Sequence, residues 1–137
     1  MQLSEYQAQL AAVIDHYAHT ELIVFSKLSI DARTPKMGIV SGALEFIDGI
    51  RLEFNEYIDL RFRPERLNYV YHCQDIDSHL IFRYDNAAHK PALPFACHKH
   101  TAKGEVIAAD PPELAVVLDE IMEHFSPGIP GRETTQK

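Results

Sequence analysis

Cysteine is scarce in this chain. Its 137 residues include two, Cys73 and Cys97, too few for the disulfide framework of a small secreted domain, so both are expected to be reduced thiols. Long apolar runs are missing too: nothing approaches the roughly 18–20 residues that span a bilayer. The start, Met1-Gln2-Leu3-Ser4-Glu5, lacks the basic and apolar regions of a secretory signal. These absences together predict a cytoplasmic protein with no membrane association. Bases are in deficit, with 13 Lys and Arg against 20 Asp and Glu and a net charge of −7. That balance argues against a general nucleic-acid binder, because phosphate contacts need positive potential.

The deficit is not uniform. From Arg83 to Lys103 the chain has four bases and one acid, a local +3 that leaves −10 for the remainder. Three of the eight histidines, His89, His98 and His100, fall in the same window. The average conceals a basic patch.

The length suits one domain with one core. Ser4 and Gln7 read as a capping box opening a helix over about 5–18, whose Tyr6, Leu10, Val13, Ile14 and Tyr17 recur at helical spacing. Glu21–Arg33 reads as a first strand, broken at Thr34-Pro35. Asp48-Gly49 then lies between the alternating runs Ile39–Phe46 and Ile50–Leu60. A three-residue loop, Ile47-Asp48-Gly49, sets Phe46 opposite Ile50, Leu44 opposite Leu52 and Gly42 opposite Phe54. A one-residue slip would exchange the faces, and only this register gathers the apolar side chains on one side. It predicts a left-handed Gly49. It also turns Glu56 inward, where a carboxylate must be satisfied by a base or line a cavity, and predicts that Glu56 reaches Arg83, Tyr71 or one of the loop histidines.

Two more strands are expected over Leu67–Gln74 and His79–Asp85, followed by a long loop, Asn86–Ala102. Asp110, Pro111 and Glu113 read as the N-cap, first position and capping-box acid of a last helix. Its acids Glu113, Asp119, Glu120 and Glu123 suit a basic partner. The predicted architecture is α+β: a mainly antiparallel five-stranded sheet flanked by an N-terminal and a C-terminal helix. The domain is expected over 1–126, with a flexible polar tail over 127–137.

Reactive side chains are densest in Arg83-Tyr84-Asp85-Asn86-Ala87-Ala88-His89 and His98-Lys99-His100. With Tyr69-x-Tyr71-His72-x-Gln74-Asp75, these strings resemble the TumE family of toxins from type II toxin–antitoxin systems, over most of residues 40–122. In the family pattern a second histidine follows the first after Asp-Asn, and Pro-His precedes the last His-Lys-His; Lys90 and Ala96-Cys97 stand there instead. The resemblance implies a growth-inhibiting protein, a small cognate antitoxin as partner and RNA cleavage as the activity. A homo-oligomer is compatible with it.

The residue types agree with that chemistry. Metal-free RNA cleavage needs a base for the 2′-hydroxyl, an acid for the leaving oxygen and cations on the phosphate. Imidazoles suit the first two tasks, which assigns His89, His98 and His100 as catalytic, with Glu56 as an orienting carboxylate. Arg83 and Lys99 suit the third, and Tyr71, Asp85 and Asn86 complete the expected substrate-binding set. No cofactor is expected. Other readings stand beside this one: Arg83 and Asp85 as a surface ion pair, His72 as a packing histidine, and His98-Lys99-His100 as a solvated loop. A metal-dependent hydrolase would hold its ion on His98 and His100 with Glu56 or Asp85. A non-enzymatic protein would inhibit growth by binding a cellular target.

Overall fold

The alternating middle of the chain forms a sheet, and the sheet runs further than the alternation does. The computed structural model describes residues 1–88 and 92–128. In chain order the elements are α1 (Leu3–Ala18), β1 (Ile23–Thr34), β2 (Met37–Phe46), β3 (Arg51–Asp59) and β4 (Glu65–Gln74). There follow β5 (Leu80–Asp85), β6 (His98–Thr101), β7 (Val106–Ala108), α2 (Leu114–Met122) and a 3-10 helix, Glu123–Gly128. The strands neighbour one another in sequence order, and each pairing is antiparallel. The α+β class with terminal helices is therefore correct. The expected five strands are seven among the described residues.

One extra strand, β6, arises where a loop was expected, and the other, β7, in the unassigned stretch between that loop and the last helix. β6 reads His-Lys-His-Thr and pairs with β5 through Phe82↔Thr101, Arg83↔His100, Tyr84↔Lys99 and Asp85↔His98. Backbone bonds hold it, and polar side chains occupy both of its faces, so no apolar alternation announces it. β7 is three residues long and returns through a turn in which Gly104 has φ +85°. Part of the expected tail also belongs to the 3-10 helix; its remainder, from 129 on, lies outside the described residues, as does His89.

The hairpin register is as expected. Leu44 lies opposite Leu52, Gly42 opposite Phe54 and Val40 opposite Glu56. The Phe46 N–H donates to the Ile50 carbonyl at 2.9 Å, and Gly49 has φ +90°, a conformation that costs an L side chain energy. One face thus collects Val40, Leu44, Leu52, Phe54, Ile58, Tyr71, Cys73 and Phe82, all buried. Both helices cover this inner face with Leu10, Ile14, Leu114, Val117, Leu118 and Ile121. Each such side chain contributes about 1.5–3 kcal/mol on burial.

Glu56 points into that layer, 1% exposed, and is fully engaged there. The hydroxyls of Tyr6 from α1 and Tyr71 from β4 both donate to its carboxylate, and the Arg66 guanidinium stands 3.5 Å away. Arg66 also donates to the Tyr71 hydroxyl at 2.9 Å and to the carbonyls of Pro112 and Pro111 at 2.5 and 3.3 Å. These last bonds hold the chain extended before α2. The helix accordingly starts at Leu114 with Glu113 as its cap, not at the Asp110 box. The α1 cap moves as well: Glu5 accepts from the Gln2 N–H at 2.8 Å, while buried Leu3 ties its own N–H to the Pro35 carbonyl. The Ser4–Gln7 box is not used.

Removing the Tyr6 hydroxyl should therefore weaken the whole inner layer. Tyr6→Phe is expected to lower the unfolding free energy by about 1.5–3 kcal/mol, the usual worth of a hydrogen bond to a charged group, measured by urea denaturation. A second outcome concerns pH. Burial pushes the Glu56 carboxyl above its ordinary 4.5, against the lowering effects of Tyr6 and Arg66. Between the unfolded and the raised folded value the native chain binds more protons, so this group's contribution to stability falls as pH rises through that window. Glu56→Gln should flatten that slope in melts taken across the window, and should lower the melting temperature at neutral pH.

Candidate functional site

The outer face of the sheet, opposite the helices, carries the other conspicuous polar cluster. Strand pairing lays it out in two rows. His72, Arg83 and His100 lie abreast on β4, β5 and β6, and Val70, Asp85 and His98 form the adjacent row. Directly opposed residues on antiparallel strands share a face, so the rows are consequences of register alone.

Asp85 is the centre. Its carboxylate is 3% exposed yet meets four groups. His98 Nε2 lies 2.6 Å from Oδ1, and Arg83 Nε donates to Oδ2 at 2.7 Å. The Ala87 N–H donates to Oδ1 at 3.1 Å, and His100 Nε2 stands 3.7 Å from Oδ2. His98 is 2% exposed, and its Nδ1 lies 3.0 Å from the Ala96 carbonyl. Each nitrogen of the His98 ring thus lies beside an acceptor, the Ala96 carbonyl on one side and the Asp85 carboxylate on the other. The His98 and His100 rings meet edge to face at 5.2 Å.

Arg83 and His100 are more open, with side chains 39% and 26% exposed. Arg83 Nη1 also lies 3.4 Å from His72 Nδ1. A groove of about 410 Å³ runs beside them, lined by Tyr57, Asn68, Val70, Arg83, Asp85 and Ala87. The arrangement offers a half-exposed guanidinium between two imidazoles, backed by a buried carboxylate that fixes its direction. One ligand atom each from Asp85, His98 and His100 also lies within 4.8 Å of the others, a spacing that can accept a divalent ion.

Not every residue singled out from the sequence comes to this place. Lys99 alternates to the inner face, where its ammonium bonds Glu120 at 2.7 Å and lies over the Tyr84 and Phe82 rings. Burial works against its charge, but Glu120 and Tyr84 outweigh that and hold its pKa above the usual lysine value. The basic patch is thus divided between two faces. Glu56 and Tyr71 belong to the inner network, across the sheet from the histidines; the expected reach of Glu56 to Tyr71 is met, and its partners are a helix and a strand. Asn86 spends its amide on β4: it donates to the Leu67 carbonyl at 3.1 Å and accepts from the Tyr69 N–H at 3.0 Å. It pins the start of the connection after β5. Of the acids on α2, Glu120 is taken by Tyr84 and Lys99 and Asp119 by Tyr17, so that helix presents less free charge than its sequence suggests.

Two participants escaped the sequence reading. His72, read as a packing residue, lies beside Arg83, and its strand partner could have been found only from the length of the 75–79 turn. Arg66 carried no motif, and its role follows from the fold. The cysteines are unpaired thiols, and burial raises Cys73 to about 12, which leaves it protonated and inert at neutral pH. No described helix is long and apolar enough to cross a membrane.

No curated protein and no solved structure matches this chain. A protein-family model does: the one described as toxin TumE matches residues 10–125, which include all seven strands, α2 and both faces described above. The chain belongs to the TumE toxin family.

Proposed function

We propose that this toxin is the growth-inhibiting half of a type II toxin–antitoxin pair and acts as a metal-independent endoribonuclease through the outer face of β4, β5 and β6. The observation that carries the reading is Arg83, half-exposed between His72 and His100 and held by buried Asp85. A guanidinium fixed on one side by a carboxylate keeps its remaining N–H groups for a phosphate. One imidazole then takes the 2′-hydroxyl proton as that oxygen attacks phosphorus. The bond to the 5′-oxygen breaks, and the other imidazole gives that oxygen a proton, leaving a 2′,3′-cyclic phosphate. His100 is one of the two. The second is His72 or, from its place in the sequence, His89. His98 and Asp85 position the others, since both His98 ring nitrogens already have partners. Lys99, Tyr71, Asn86 and Glu56 support the site through the fold instead of touching RNA. A cognate antitoxin would act by covering this face.

A second reading has its own observation. The Asp85, His98 and His100 atoms within 4.8 Å of one another would take a divalent ion if it came between His98 and Asp85 and displaced Arg83. The same residues would then serve a metal-dependent hydrolase.

The expected result is cleavage of RNA by the purified chain in excess EDTA, with cyclic-phosphate ends. His100→Ala should reduce the rate by roughly 10²–10⁴-fold, the range for loss of an acid or base, and Arg83→Ala by about 10²–10³-fold. Lys99→Ala should change the rate far less than either. His72→Ala and His89→Ala compared under the same conditions identify the second imidazole. Loss of cleavage in EDTA with recovery on adding zinc or manganese would select the metal reading. Growth arrest with intact RNA under every condition would mean that the toxin acts by binding. If the locus carries an adjacent small reading frame, its co-expression should restore growth.

A further inference from the structure

β1 and β7 are the two edges of the sheet, and they differ. β7 has three residues. β1 has twelve, nine of them exposed, including Val24 at 61% and Phe25 at 48%. Alternate residues of an edge strand turn their N–H and C=O groups outward, a template for another strand. Register shifts at Val24 and Arg33 bound a regular run between them.

That run is complementary to itself. A two-fold axis normal to the sheet keeps both inner faces on one side, so directly opposed residues must share a face and one residue must lie opposite its own copy across the axis. Three centres are available in the middle of β1. About Leu28, Lys27 would face Ser29 and Phe25 would face Asp31. About Ile30, Lys27 would face Arg33, a like-charge contact. About Ser29, Lys27 of each copy faces Asp31 of the other on the outer face, while Leu28 faces Ile30 on the inner one. Lys27 and Asp31 are exposed, Leu28 and Ile30 half-buried. Among the described residues neither Lys27 nor Asp31 has an ion-pair partner. A lone lysine on an edge blunts pairing; here an acid four residues on answers it twice.

We propose that β1 is a homodimer edge: two copies pair antiparallel about Ser29, joining their sheets through reciprocal Lys27–Asp31 contacts. The joined sheets would place both catalytic faces on the same side, away from the helices. This goes beyond the proposed activity and stands or falls apart from it.

The test is sedimentation equilibrium or light scattering on the full chain across a concentration series. Wild type should show twice the 15.6 kDa chain mass. Lys27→Asp and Asp31→Lys each replace two attractive cross-strand pairs by two repulsive ones and should weaken the dimer by roughly tenfold or more. An equimolar mixture of the two single variants should form a heterodimer, and the double variant K27D/D31K should dimerise like wild type. Unchanged circular dichroism and melting curves will show that these exposed positions leave the fold intact. A wild-type monomer at every concentration overturns the proposal. So does a dimer indifferent to both single variants, or a β1 edge that pairs with the antitoxin alone.

Discussion

Glu56 brings a carboxylate into the layer between sheet and helices, and the rest of the architecture is arranged around its satisfaction. An unpaired carboxylate there would cost several kcal/mol. Two phenols and a guanidinium meet it, and they come from α1 and β4. Arg66 then extends the network to the backbone that leads into α2. A single buried charge thereby sets how both helices sit on the sheet. Apolar contacts supply most of the folding energy, but they are non-directional; the hydrogen bonds to Glu56 decide which packing is adopted.

With its inner face committed to the helices, the sheet has one face left uncovered by them. Alternation makes that division sharp. In His98-Lys99-His100 the two histidines reach the outer face and the lysine the inner one, so three reactive neighbours in sequence have two different duties. Lys99 joins Glu120 and Tyr84 and ties β6 to α2. The histidines join Asp85. Cross-strand pairing then adds Arg83 and His72, which lie eleven residues apart in the chain and abreast in the sheet.

On the proposed reading, Asp85 also explains how an acidic protein could present a site for an anion. It neutralises the half of Arg83 turned toward the strand and leaves the other half open, while its own charge stays buried beneath the imidazoles. The local potential at the groove is set by these few groups and not by the net charge of −7, because exposed charges more than a Debye length away are screened.

What the sequence determined by itself was local or periodic. The alternation on both sides of Asp48-Gly49 was enough for the β2–β3 register, because a slip would have turned every apolar side chain to water. The same argument placed Glu56 inside. The recurrence of Leu114, Val117, Leu118 and Ile121 was enough for the last helix, though not for its first residue, which Arg66 decides from another strand. The density of histidines around Asp85 marked the region of the site, and the family resemblance rested on those residues. Only the tertiary structure decided which of them meet. β6 is held by backbone bonds to β5 and carries polar side chains on both faces, so nothing in its own residues distinguishes strand from loop. His72 reaches Arg83, and Lys99 leaves it, through the pairing of three strands. A contact of that kind depends on register across two turns, and register is a property of the sheet that no single segment contains.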